Sequence, residues 1–136
     1  MSTNPSEKPA RKILVVDDNE IIIKTISLKL QGAGYQVITA MDGAEAVAAV
    51  RKENPDLILL DISFPPDVTS MQWDGFRIME WFHRLDAAKR IPVIIITGSE
   101  DLKLKERANS MGAVAYLQKP LEHDQLLKVV RATLGD

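Results

Sequence analysis

Short, unbroken runs of branched aliphatic residues alternate along the chain with stretches in which apolar residues recur every three or four positions. Residues 13–16, 35–40, 57–60, 93–96 and 113–117 read as strands, and four of the five are continuous apolar runs of the kind found in parallel strands buried on both faces. Between them lie helical patterns. Asn19 is a good N-cap, and Ile22, Ile26 and Leu30 form one stripe after it. Asp42 caps a second helix to about residue 52, with Ala44, Val47, Ala48 and Val50 as a narrow apolar face. A third helix is expected over 74–85, with Phe76, Met79 and Phe82 inward. A fourth spans 100–110, and a fifth, 121–134, turns Leu126, Leu127, Val130 and Leu134 to the core. Five strands alternating with five helices predict an α/β domain of three layers, with right-handed crossovers around one parallel sheet.

Punctuation agrees with this division. Gly32 and Gly34 stop the first helix, Asn54-Pro55 the second, and Gly112 the fourth. The Gly32-Ala33-Gly34 run follows a helix and precedes a strand. Pyrophosphate-binding glycine loops need the reverse order, so a dinucleotide site is rejected.

What distinguishes the pattern is how the strands end. The first runs into Asp17-Asp18, the third into Asp61, the fourth into Thr97, and the fifth is followed by Lys119-Pro120. Open parallel sheets bind ligands at the carboxyl ends of their strands. Three carboxylates, a hydroxyl and an ammonium are therefore expected in one small pocket. Any one of these residues alone is ordinary: Asp favours caps and turns, and a lysine beside a turn proline is common. Their joint placement is not.

Composition narrows the possibilities without changing that reading. The 136 residues fit one domain with a real core. Seventeen Lys and Arg against nineteen Asp and Glu give a formal charge of −2, with no basic block to serve as a nucleic-acid footprint. The absence of cysteine excludes disulfides, thiol catalysis and cysteine zinc sites. His83 and His123 have no ligand-type spacing and read as surface residues. Residues 1–10 are polar and contain two prolines, unlike a secretory signal. No run reaches the roughly 20 apolar residues that cross a bilayer. A flexible tail over 1–10, a domain over 11–136 without an output domain, and a cytoplasmic location with no membrane or nucleic-acid partner are the expectations.

Carboxylates crowded at one point repel by a few kcal/mol per pair at an effective dielectric of about 20, so a cation belongs among them. Mg²⁺ takes oxygen ligands, keeps some waters and commonly links carboxylates to a phosphate. Asp18 and Asp61 are natural direct ligands, with Asp17 orienting a coordinated water. A carboxylate is also a competent nucleophile toward phosphorus. Asp61 suits that role because it ends the middle strand. Lys119 would neutralise it and then pair with a phosphoryl oxygen, Thr97 would offer a hydroxyl, and Gly98 would leave room for the group to enter.

At these residues the chain resembles the receiver domains of two-component response regulators, over about residues 11–134. The acidic pair, the acceptor, the hydroxyl, the Lys-Pro and their order all correspond. The resemblance implies a flavodoxin-like (βα)5 fold with strand order 2-1-3-4-5, and phosphorylation of Asp61 by a histidine kinase or histidine phosphotransfer protein. It implies Mg²⁺ held by Asp17, Asp18, Asp61 and the backbone carbonyl of Ser63. It also implies a Thr97–Tyr116 switch that remodels the face of the fourth helix, fifth strand and fifth helix for a downstream protein target. A cis peptide at Lys119-Pro120 and a monomer or weak homodimer belong to the same expectation.

One stretch departs from the family. Pro65 stands where receivers place a proline, but Pro66, Asp67, Val68, Thr69, Ser70, Met71 and Gln72 lengthen the loop before Trp73-Asp74-Gly75. Each doubling of a loop costs only ~0.6 kcal/mol in closure, so tolerated drift and a docking role beside the site both fit. Trp81 fits either an interface or half-buried packing. Small, uncharged Ser63 predicts a phosphate lifetime at neither extreme. Ser63 also occupies the place where haloacid dehalogenase-type phosphohydrolases carry a second Asp. Turnover beyond self-phosphorylation and self-dephosphorylation is therefore not expected. A stand-alone phosphorylation-gated regulator is the leading function, and a phosphorylation-independent adaptor is the alternative.

Overall fold

The computed structural model describes residues 10–62, 75–84, 91–98 and 102–135. Five parallel strands form one sheet in the order β2-β1-β3-β4-β5. In chain order the elements are β1 (Lys12–Val16), α1 (Glu20–Gly32), β2 (Gln36–Ala40), α2 (Gly43–Glu53) and β3 (Leu57–Asp61). They continue with α3 (Gly75–Arg84), β4 (Val93–Thr97), α4 (Leu102–Ser110), β5 (Ala115–Gln118) and α5 (His123–Leu134). This is the expected flavodoxin-like architecture and strand order.

The period-two alternation of each strand divides the core into two layers. Leu14, Val16, Ile58, Leu60 and Ile95 point to one side, where Ala46 and Val50 of α2, Ile78, Met79 and Phe82 of α3, and Ala108 of α4 cover them. Ile13, Val15, Leu57, Leu59, Ile94, Ile96 and Leu117 point to the other, under Ile23, Ile26 and Leu30 of α1 and Leu126, Leu127 and Val130 of α5. Every residue of β3 and β4 is buried, which is why those runs carry no polar alternation. Burying a Leu or Ile side chain fully contributes about 1.5–3 kcal/mol. These two central strands are therefore the anchor of the sheet.

Local signals act largely where the sequence placed them. The Asn19 side chain accepts from the N–H groups of Ile21 and Ile22 and starts α1. Asp42 accepts from the Glu45 N–H and starts α2. Asn54 adopts φ 49° and ψ 63° and ends α2, and Gly34 at φ 97° turns the chain from α1 into β2.

Several details differ from the sequence reading. In α2 the buried residues are Gly43, Ala46 and Val50, while Ala44 and Ala48 are exposed and Val47 is half-buried. In a helix this rich in alanine, small apolar residues lie on all sides and do not mark the inward face. In α1 the buried stripe runs through Ile23, and Ile22 packs only at its margin. β5 begins at Ala115 rather than at residue 113, and Val114 is 55% exposed. α5 begins at His123, because Leu121 precedes it and Glu122 keeps an extended backbone. Tyr35 lies just outside β2 and is buried.

The expected loop over 63–74, with Ser63, Pro65 and Trp73, lies outside the described residues. So do the tail over 1–9, the starts of the third and fourth helical patterns, and the side chain of Phe76.

Candidate functional site

Where the strand order reverses, β1 and β3 lie side by side, and a parallel sheet opens a crevice beyond their carboxyl ends. Asp17 directly follows β1, and its N–H donates to the carbonyl of Ala40 at 3.1 Å, so the carboxylate leaves from backbone still tied to the sheet. Asp61 is the last residue of β3 and pairs in register with Ile96. The two residues are only 1% and 2% exposed. The alternation that sends Val15 and Leu59 toward α1 and α5 carries both acids to that side.

Asp17, Asp18 and Asp61 each offer a carboxylate oxygen, and the three oxygens lie within 4.8 Å of one another. Asp18 is the exposed member. Lys119 reaches the cluster from beyond β5. Its Nζ donates to Asp61 Oδ2 at 2.7 Å and to Asp17 Oδ2 at 3.2 Å. The lysine is held in turn by its main chain, whose N–H donates to the Thr97 carbonyl at 2.7 Å. The Lys119-Pro120 peptide is cis, as the resemblance implied.

The electrostatics follow from crowding. Burial pushes the Asp17 carboxyl from 3.8 up to about 7; the Asn19 N–H works against the shift, Asp61 adds to it and Lys119 opposes it. Burial disfavours the Lys119 ammonium, yet its hydrogen bond to Asp61 and the charges of Asp61 and Asp17 prevail and raise it above 10.5. When all groups are ionised, three carboxylates face one ammonium, an excess of two negative charges. The donor set is all oxygen and short of positive charge, which fits a hard divalent cation of the Mg²⁺ type.

Thr97 ends β4 and is fully buried. Strand alternation places it on the side of Ile95, facing the α2–α4 layer. Tyr116 pairs in register with Ile95 and packs, half-buried, against the same layer. The hydroxyl and the ring therefore share one side of neighbouring strands, separated diagonally by two residues. Of the sequence-predicted residues, Asp17, Asp18, Asp61 and Lys119 meet in the acidic cluster, and Thr97 and Tyr116 lie on the α2–α4 side of the sheet. Gly98 is exposed and lines a pocket together with Lys119 and Pro120. Ser63 lies outside the described residues. His83 and His123 are both exposed and lie outside the acidic cluster.

One contributor went unnoticed as part of the site. Asn19 was legible as a helix cap, but its N–H also donates to Asp17 Oδ1 at 2.9 Å. A main-chain donor leaves no mark on residue type, so only its position two residues after Asp17 pointed to it.

A parallel sheet in this order with an acidic cluster at its switch point defines a flavodoxin-like α/β domain, and the chain belongs to the response regulator receiver domain family, whose pattern it matches over residues 13–131. Among relatives, it is 30% identical over 126 residues to the polar-differentiation response regulator DivK of Brucella anthropi, a match covering 93% of this chain and 98% of that one. Among solved structures, the chemotaxis protein CheY4 of Vibrio cholerae superposes with a TM-score of 0.82 at 32% identity, over 93% of this chain and 100% of that one. The receiver domain of the sensor histidine kinase PA1611 of Pseudomonas aeruginosa has a TM-score of 0.80 at 26% identity, covering 94% and 100%. That structure was solved with a magnesium ion coordinated in its active site cleft.

Among the described residues, no helix is long and apolar enough to cross a membrane.

Proposed function

We propose that this receiver domain takes a phosphoryl group onto Asp61 and transmits its presence to a protein partner. The carrying observation is the geometry at Asp61: a buried carboxylate 2.7 Å from the Lys119 ammonium and grouped with two further carboxylates. In the reaction an Asp61 oxygen attacks the phosphorus of a phosphohistidine on a histidine kinase or phosphotransfer protein. The phosphorus–nitrogen bond breaks, the imidazole leaves with its electron pair and takes up a proton, and an acyl phosphate remains.

Each side chain has a part. Lys119 holds Asp61 in place and offers its charge to a phosphoryl oxygen once the carboxylate is esterified. Asp17, Asp18 and Asp61 would hold Mg²⁺, together with the main-chain carbonyl of Ser63. When bound, that ion supplies charge neutralisation for a phosphoryl group meeting an acidic pocket. Thr97 sits one residue before Gly98 at the entrance and turns its hydroxyl to the new phosphoryl oxygens. Tyr116, on the same side of the sheet, follows that movement and alters the surface formed by α4, β5 and α5. The ligand's effect is a shift between two conformers, and a partner that binds one of them reads it.

The domain works in the cytoplasm as a regulator, with no chemistry beyond gaining and losing its own phosphate. The test is incubation of the wild type and Asp61→Ala with acetyl phosphate and Mg²⁺, followed by intact mass measurement. One added phosphoryl group on the wild type and none on Asp61→Ala is the expected result. An unmodified wild type with Mg²⁺ present overturns the reading.

A further inference from the structure

A single exposed residue joins the first turn of α1 to the acidic cluster. The Asn19 side-chain Oδ1 accepts from the N–H of Ile21 at 2.9 Å and of Ile22 at 3.3 Å. Its backbone is extended, at φ −100° and ψ 111°. In that conformation its own N–H donates back to Asp17 Oδ1 at 2.9 Å, while Asp17 Oδ2 accepts from Lys119. The Asp17 carboxylate is thus gripped on both oxygens, by the helix cap on one side and by the lysine on the other. With one donor removed, the carboxylate can pivot about the bond that remains. With both donors it is held where it faces Asp61.

We propose that Asn19 is a positioning residue for divalent-cation binding. The side-chain cap sets the direction of the Asn19 N–H, and that N–H orients the Asp17 carboxylate toward the other two acids. The proposal rests on the reading of the cluster as a magnesium site. Asn19 itself has no charge and stands outside the ligand set; it acts through Asp17, as hydrogen-bond partners of ligands generally do.

Helix stability has to be separated from positioning, and the fold contains a matched control. Asp42 caps α2 in the same manner, accepting from the Glu45 N–H at 2.8 Å, and takes no part in the cluster. Glycine is nearly as good an N-cap as asparagine yet supplies no acceptor, whereas serine supplies one. The experiment measures Mg²⁺ affinity by titrating backbone amide shifts with MgCl₂. It compares the full-length wild type with Asn19→Gly, Asn19→Ala, Asn19→Ser and Asp42→Ala, with a thermal melt of each.

Asn19→Gly and Asn19→Ala are expected to weaken Mg²⁺ by about tenfold, the usual cost of losing a partner that orients a ligand. Asn19→Ser is expected to restore most of the affinity. Asp42→Ala is expected to melt earlier and bind Mg²⁺ as the wild type does. Asn19→Gly binding within about twofold of the wild type overturns the proposal alone. A wild type that does not bind Mg²⁺ overturns both the proposal and the magnesium reading.

Discussion

The Lys119 ammonium lies 2.7 Å from Asp61 Oδ2 and bridges to Asp17 at 3.2 Å, so one flexible side chain from beyond the edge strand closes a pocket founded on the two central acids. Charge-assisted bonds of this length are about twice as strong as neutral ones. Lys119→Met keeps most of the apolar stem and removes the charge. The rate of phosphorylation by acetyl phosphate is expected to fall on the order of 100-fold, the usual scale for losing one electrostatic contact to a reacting group. A time course by intact mass checks it, and a rate near that of the wild type contradicts the role.

The acidic cluster sets a pH dependence whose sign can be worked out. Asp17 titrates near 3.8 when unfolded and near 7 when folded. Between those values the folded state holds a proton that the unfolded state has released, so stability falls as pH rises through this window. Each unit of difference corresponds to about 1.4 kcal/mol. Lys119, raised above 10.5, is charged in both states there, and its contribution is lost only as pH rises through its folded value. The metal-free chain should therefore melt at a higher temperature at pH 5 than at pH 8. Asp17→Asn should flatten that difference. Saturating Mg²⁺ should also shrink it, since the cation competes with the proton for the carboxylates and therefore stabilises the chain more at pH 8 than at pH 5. Melting curves in EDTA and in MgCl₂ at both pH values test all three statements.

Thr97 and Tyr116 share one side of β4 and β5, so the proposed acceptance of a phosphate can be tested apart from its proposed read-out. Thr97→Ala removes the hydroxyl and leaves Asp61, Lys119 and the acids in place. It is expected to accept phosphate from acetyl phosphate. It should also lose the amide-shift changes at Tyr116 and along α5 that beryllofluoride, a phosphoryl mimic, induces in the wild type. Equal shifts in Thr97→Ala and the wild type contradict the coupling.

Adjacent aromatic residues on α3 should behave differently. Phe82 is 2% exposed within the core layer of α2, α3 and α4, whereas Trp81 is 39% exposed. Phe82→Ala is expected to cost about 3–5 kcal/mol, the usual price of deleting a buried aromatic. Trp81→Ala should cost much less. Urea unfolding of the two variants gives the comparison.

The fold was legible because its signals are local and repeated. Ile94-Ile95-Ile96 is apolar on both faces, which suits only a strand covered twice, and Asn19, Asp42 and Asn54 mark helix ends by their own side chains. The three acids and the lysine were legible because Asp17, Asp61 and Lys119 stand at or just past strand ends, and parallel strands deliver their ends to one place. The inward face of α2 was not, because Ala44, Ala46 and Ala48 differ in nothing but direction. The start of β5 was not either, since an edge strand has a neighbour on one side only.

By itself, then, the sequence determined the order of elements, the two-sided burial of β3 and β4, and which acids and lysine meet at the strand ends. Tertiary structure alone decided that Asp17 is gripped by Asn19 on one oxygen and by Lys119 on the other. It also decided that burial among like charges lifts Asp17 toward neutrality, and that Thr97 and Tyr116 share a side. Those outcomes depend on distances between residues far apart in the chain and on a main-chain donor with no residue type. Local pattern encodes neither.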